Sequence, residues 1–162
     1  MPSQIKLFSI AHRPDLYQIG QQLVAEYVEA TALEMQTDPS TFIPYIEGYA
    51  SFPGAFANGD FLLAQTNDDP AGCVGVKPLD SRVCEMKSLW VRPDHRGKGV
   101  ARGLITESLA AATRLGFEVM ELDVLPSRRG AIELYRQLEF EECPVSHDYT
   151  FDMVGFRRRL RD

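Results

Sequence analysis

The segment Leu89-Trp90-Val91-Arg92-Pro93-Asp94-His95-Arg96-Gly97-Lys98-Gly99-Val100-Ala101-Arg102-Gly103-Leu104 reads as a strand end, a tight basic loop with two glycines, and the first turn of an amphipathic helix. That order lets a chain hold a diphosphate on backbone N–H groups, because the first turn of a helix has unpaired donors and the positive end of its dipole. Three nucleotide-type loops compete for it. A Walker A loop requires Gly-Lys-Ser/Thr, and Gly99 is followed by Val100. A dinucleotide fingerprint starting at Gly97 requires glycine where Arg102 stands. What remains is Arg96-x-x-Gly99-x-Ala101, in which Gly99 permits close backbone approach and unusual dihedrals, and Ala101 keeps the first turn slim. The plain alternative is a glycine-bearing loop that only starts a helix.

Outward from this segment, three short strands precede it: Phe61 to Gln65, Gly72 to Val76 and Arg82 to Val91. Asn67-Asp68-Asp69-Pro70 and the stretch from Pro78 to Ser81 serve as the turns, which makes an antiparallel meander. Before the meander, Gln4 to Ile10 suits a first strand. Pro14 opens a helix on which Leu16, Ile19, Leu23, Val24, Tyr27 and Val28 recur at helical spacing, reaching Ala30 or slightly beyond. A shorter helix carrying Phe42, Ile46 and Tyr49 is expected next, and then a loop from Gly48 to Gly59. After the glycine loop, a helix runs from about Gly99 to Leu115, stopped by Gly116. Val119 to Leu125 is an apolar strand interrupted by Asp123, and Ser127 offers a cap for a helix displaying Ile132, Leu134, Tyr135 and Leu138. Phe140 begins another strand, and Tyr149 to Leu160 is the last. A meander followed by strand, helix and strand is an α/β pattern with a mixed sheet, expected as one domain over residues 1–162.

Composition narrows the function classes. The chain has 162 residues, a net charge of −6 and 44% hydrophobic residues, an ordinary globular balance that disfavours a broad nucleic-acid face. Between Arg92 and Arg102, four basic residues stand against Asp94 alone, which suits a small anionic ligand better than a polymer. No apolar stretch approaches a membrane span, and the first ten residues do not resemble a secretory leader. Cys73, Cys84 and Cys143 lack metal-type spacing. The expectation is a cytoplasmic protein with reduced structural cysteines, no nucleic-acid or membrane partner, and a monomer or homodimer.

Taken together, Arg96-x-x-Gly99-x-Ala101 and the run Ala131-Ile132-Glu133-Leu134-Tyr135-Arg136-Gln137-Leu138-Glu139-Phe140 resemble the two signatures of the GCN5-related N-acetyltransferase (GNAT) superfamily. The likeness is strongest from Phe61 to Phe140, and the run Leu122-Asp123-Val124-Leu125-Pro126-Ser127 is similar to a bacterial subgroup of small members. The resemblance implies a mixed, mostly antiparallel twisted sheet flanked by helices, splayed between the third meander strand and the strand after the helix. It implies acetyl-coenzyme A as co-substrate and a primary amine of a small molecule or peptide as acceptor, with direct attack in a ternary complex and no metal. The alternative is a non-catalytic acyl-coenzyme A sensor with the same fold, which would bind coenzyme and transfer nothing.

Carried over residue by residue, Leu89, Trp90 and Val91 would offer main-chain contacts to pantetheine and thioester, and an N–H near Leu89 or Trp90 would polarise the acetyl carbonyl. Arg96, Gly97, Lys98, Gly99, Val100 and Ala101 would hold the pyrophosphate. Tyr135 would protonate the leaving thiolate; its plain alternative is a core aromatic. Glu85 would act as base, on one face with Leu89 and Val91 if no bulge intervenes, or else it is a structural carboxylate paired with Lys87 or Arg82. His95 reads as a solvated turn residue, His147 and Asp148 lie near a strand start that could face the acceptor, and Trp90 is expected to pack against helices. Two positions depart from the family pattern. Arg128 stands where an asparagine is common, leaving Ser127 as the nearest neutral side chain for the pantetheine. Glu139 replaces a glycine before Phe140, so it must avoid or tolerate a positive φ.

Overall fold

The structure, a computed structural model, describes residues 4–42 and 56–160. Strand β1 (Ile5–Ser9) leads through a 3-10 turn at Pro14–Leu16 into helix α1 (Tyr17–Glu34). Gly20, Leu23, Val24, Val28, Thr31 and Ala32 form its buried stripe, the spacing of one helical face. A 3-10 turn spans Pro39–Phe42; the rest of the expected short second helix, with Ile46 and Tyr49, and most of the loop expected after it lie outside the described residues.

Strands β2 (Asp60–Thr66), β3 (Asp69–Pro78) and β4 (Val83–Val91) form the antiparallel meander. Its first turn is tighter than four residues: Asn67 and Asp68 both have positive φ (52° and 69°), the two-residue geometry that matches strand twist. At the second turn the Asp80 carboxylate accepts the N–H groups of Arg82 and Val83 at 2.7 Å each. Helix α2 (Val100–Arg114) then crosses to β5 (Val119–Val124), and α3 (Arg129–Gln137) leads to β6 (Glu141–Cys143) and β7 (Val154–Arg159). The last strand is shorter than its residue pattern predicts, because Pro144 to Met153 follows an irregular path dictated by contacts to sheet carboxylates.

The seven strands lie in the order β1-β2-β3-β4-β5-β7-β6, with β4 and β5 the parallel pair. One face of the sheet packs Leu62, Val74, Met86 and Met120 against Val100, Leu104 and Ile105 of α2 and Tyr135 of α3. The other packs Phe61, Leu63 and Cys73 against Leu23, Val24 and Val28 of α1. Cys73 and Cys84 are buried, and burial pushes both thiols up, that of Cys84 to about 12, so both are poor nucleophiles. No helix among the described residues is long and apolar enough to cross a membrane.

Two local expectations are resolved here. Glu139 has φ +70°, so the backbone keeps the left-handed turn without its glycine. Relieving that conformation in Glu139→Gly is expected to stabilise the fold by about 1 kcal/mol, read as a higher denaturation midpoint, even though the 3.4 Å pair with Arg158 is lost. Ser127 does not cap α3. The residue preceding the helix is Arg128, without a side-chain cap, and the Ser127 hydroxyl donates to Glu34 on α1. That carboxylate also takes Arg128 Nε at 3.0 Å, and the two pairs dock the start of α3 onto α1.

Candidate active site

The parallel β4–β5 pair is short. Val83, Cys84 and Glu85 face Val119, Met120 and Glu121, and no register pair joins the strands beyond them. β4 continues to Val91 and β5 to Val124, so beyond Glu85 and Glu121 no ladder joins their facing backbone edges among the described residues. Buried main-chain groups require partners, and an extended ligand can supply them as an added strand does.

On the β3 side of β4, Gly75 faces Lys87 and Cys73 faces Trp90, so Ser88 and Leu89 oppose Val74 alone. Ser88 carries the bulge with φ +57°, and the Cys73 thiol donates to its carbonyl at 3.4 Å. The extra residue reverses the side-chain alternation. Leu89 and Val91 therefore join Cys84 and Met86 on the α2 face, while Trp90 turns to α1. Glu85 does not share a face with Leu89 and Val91, because the condition of an unbroken strand is not met. It points to the α1 side with the Trp90 ring, whose N–H donates to Glu26 at 3.2 Å.

After β4, the 3-10 turn at Pro93–His95 delivers the chain to Gly97 and Gly99, whose φ values are +75° and +84°. A Cβ built at either would meet nothing within 4 Å. The glycines are thus required by backbone conformation, and the space above them is open. Successive N–H groups in such a turn form an anion-binding concavity. Gly99 precedes α2 directly, and the first intrahelical bond runs from Gly103 N–H to the Gly99 carbonyl at 3.0 Å. The N–H groups of Val100 to Arg102 lie before that bond. Lys98 is exposed beside them. Arg96 donates to the Val91 carbonyl at 3.0 Å and lies over the Trp90 ring, 5.1 Å from its centre. Arg92 turns away to Glu26, 2.8 Å. His95 is half-buried, and its Nδ1 has no hydrogen-bond partner among the described residues.

Tyr135 sits on α3 and is 5% exposed, between Phe140 and Phe156 at ring distances of 5.7 and 6.0 Å. It lines the gap between the splayed strands together with Leu89, Leu122, Ala131 and Arg128. Burial, with a smaller contribution from the Tyr27 phenol, raises its pKa well above the usual tyrosine value, against an opposing pull from Arg128.

On the α1 side the gap widens into an open cleft lined by Tyr27, Met35, Asp123, Arg128 and Tyr149 among others. Glu85 lies at its base, with a side chain only 2% exposed. One carboxylate oxygen contacts Lys87 Nζ at 3.3 Å and the other His147 Nε2 at 2.8 Å. The Lys87 pair anticipated by the structural alternative is therefore present, together with a histidine on the other carboxylate oxygen. The Asp123 carboxylate accepts the Tyr149 hydroxyl at 2.7 Å and the Ser146 N–H at 3.2 Å, while Ser146 donates its hydroxyl to Glu121 at 2.9 Å. The irregular segment before β7 is thereby strapped over the open end of the sheet. Glu85, Asp123 and His147 offer ligand atoms within 4.8 Å of one another, but the Lys87 ammonium on Glu85 competes with any cation there.

Arg128 lines both the gap and the cleft; Ser127, bonded to Glu34, lines neither. Asp123 and Tyr27 are cleft residues that sequence reasoning passed over. The charge interrupting an apolar strand at Asp123 was the available signal.

Comparison with known proteins agrees with this geometry. The sequence model of the acetyltransferase (GNAT) family matches residues 24–140. An uncharacterised N-acetyltransferase of Schizosaccharomyces pombe is 30% identical over 164 residues, covering 98% of this chain and 97% of that protein. An uncharacterised N-acetyltransferase of Methanocaldococcus jannaschii is 34% identical over 91 residues, covering 52% of this chain but 40% of its own length, so this chain spans less than half of that relative. Among solved structures, a GNAT-family acetyltransferase from Staphylococcus aureus Mu50 superposes with a TM-score of 0.76 at 17% identity, covering 98% of this chain and 100% of that one. A GNAT-family acetyltransferase from Elizabethkingia anophelis with acetyl-CoA bound gives 0.56 at 18% identity, covering 64% and 78%. The family match over most of the chain and the full-length relative together show that the chain belongs to the acetyltransferase (GNAT) family of acyltransferases.

Proposed function

We propose that the protein transfers an acetyl group from acetyl-coenzyme A to a primary amine by direct attack within a ternary complex. The observation that carries this reading is the early end of the β4–β5 pairing next to the positive-φ glycines that open α2. The pyrophosphate lies on the N–H groups of Gly97 to Ala101, with Arg96 and Lys98 supplying positive charge. The pantetheine arm fills the gap between the strands, bonded to the main chain of Leu89, Trp90 and Val91. Arg128, which reaches that gap, replaces Ser127 as the side chain beside the arm. The acetyl carbonyl meets a main-chain N–H at the bulge, which stabilises the oxyanion as the tetrahedral intermediate forms.

The amine enters from the α1 side. Its nitrogen forms the C–N bond, the C–S bond breaks, and Tyr135 gives its proton to the departing thiolate. Glu85 takes the amine proton, and His147, with a side chain 40% exposed, carries it from the buried carboxylate to solvent. Tyr135 is suited to its role because its raised pKa keeps the phenol protonated across the neutral range.

The proton role of Glu85 has a specific signature. In Glu85→Gln, kcat/KM for the amine is expected to fall by roughly 100-fold near pH 7, within the usual range for a general base. The deficit should shrink as pH rises toward the amine's own pKa, near 10 for a simple alkylamine, because the acceptor then arrives unprotonated. Thiol release from acetyl-coenzyme A, followed against pH with wild type and variant, reads this out. A deficit that stays constant with pH would remove the base assignment.

A further inference from the structure

The cleft on the α1 side carries information about the acceptor, and the inference rests on the transferase reading above. Its lining carries Lys87 and Arg128 against Glu85 and Asp123, but the ion pairs are unevenly shared. Lys87 is matched by Glu85, and Arg128 is matched by Glu34. His147, the next group able to carry a positive charge, bonds to Glu85 as well. Asp123 receives only neutral donors, the Tyr149 hydroxyl and the Ser146 N–H, and has no ion-pair partner among the described residues. Glu85 is already held by Lys87 and His147, so Asp123 is the cleft carboxylate left to take a cation from outside. The surrounding wall is aromatic and thioether: Met35, Phe42, Phe151 and Met153 with the ring of Tyr149. Tyr149 and Phe151 lie 5.4 Å apart, centre to centre. Such a wall takes apolar surface, and its ring faces attract an ammonium.

We propose that the acceptor is a primary ammonium on an aromatic or apolar body with no carboxylate beside the amine, and that Asp123 holds it. The ammonium docks on Asp123 and passes its proton to the neighbouring Glu85, and the apolar body lies along the Met35, Phe42 and Phe151 wall. A carboxylate on the carbon next to the amine would be drawn within a few ångströms of Asp123, a like-charge contact that discriminates against amino acids.

Phenethylamine and phenylalanine differ by that carboxylate alone and make the test pair, with thiol release and acetylated product measured for each. Phenethylamine is expected to exceed phenylalanine in kcat/KM by about tenfold or more, the effect of one like-charge contact in a partly buried site. Asp123→Asn should raise KM for phenethylamine by about tenfold or more, as loss of a charged hydrogen-bond partner does, with KM for acetyl-coenzyme A unchanged. Preference for phenylalanine, an unchanged amine KM in Asp123→Asn, or no transfer to phenethylamine by a protein that binds coenzyme A would each overturn the proposal. Absence of coenzyme A binding is a different failure, which sinks the transferase reading itself.

Discussion

A Gly99→Glu protein is expected to lose affinity for coenzyme A by roughly 100-fold or more, since like charges brought together in a binding site cost several kcal/mol. Backbone strain and charge act independently here. Gly99 adopts φ +84° immediately before α2, where an L side chain adds about 1–2 kcal/mol of strain. Its Cβ would point into open space, with nothing of the protein within 4 Å, so a side chain there enters the volume the diphosphate needs and collides with no part of the core. A carboxylate placed there also takes the N–H donors at the helix start for itself. The variant should therefore melt within a few degrees of wild type and yet show no rise in melting temperature when coenzyme A is added, whereas the wild type shows one. Gly99→Ala separates the contributions: it carries the strain without the charge and should retain weakened binding. Equal ligand-induced shifts in wild type and Gly99→Glu would place the diphosphate elsewhere.

The second large effect concerns Tyr135. Tyr135→Phe keeps the ring that packs against Phe140 and Phe156 and removes only the hydroxyl. Fold and coenzyme affinity should therefore be nearly unchanged, while kcat falls by about 100-fold, at the lower end of the range for a lost general acid. The sign follows from the environment. Desolvation disfavours the phenolate and raises the pKa above the usual tyrosine value, so the proton is present when the thiolate departs. A packing role for the same residue predicts the opposite pattern, a lower melting temperature in Tyr135→Ala and full turnover in Tyr135→Phe. The ratio of kcat to stability loss in those two variants distinguishes the roles.

The glycine turn and the helix start after it were legible in the sequence because their information is local. Positive φ at Gly97 and Gly99, an exposed lysine and a helix start all lie within six residues, and glycine announces the dihedral it permits. The bulge on β4 was not legible, since Ser88 adopts φ +57° without a glycine to mark it. That one residue decides that Glu85 faces α1 while Leu89 and Val91 face α2. Nor could Ser127 be read correctly. Its partner Glu34 lies 93 residues away, and a short-range capping rule cannot see it. The acceptor cleft is built almost wholly from such distant pairs, Glu85 with His147 and Asp123 with Tyr149, separated by 62 and 26 residues. Local propensity assigns Tyr149 to Leu160 to one strand; the pull of sheet carboxylates on Ser146, His147 and Tyr149 withholds the first part from it.

The claim on which every role depends is that the splayed β4–β5 edge and the Gly97–Ala101 turn form one coenzyme A site. Isothermal titration of the wild-type protein with coenzyme A tests it most directly. One molecule per chain, bound saturably and displaced by acetyl-coenzyme A, is the predicted result; a titration with no binding heat at any temperature and no competition would contradict it.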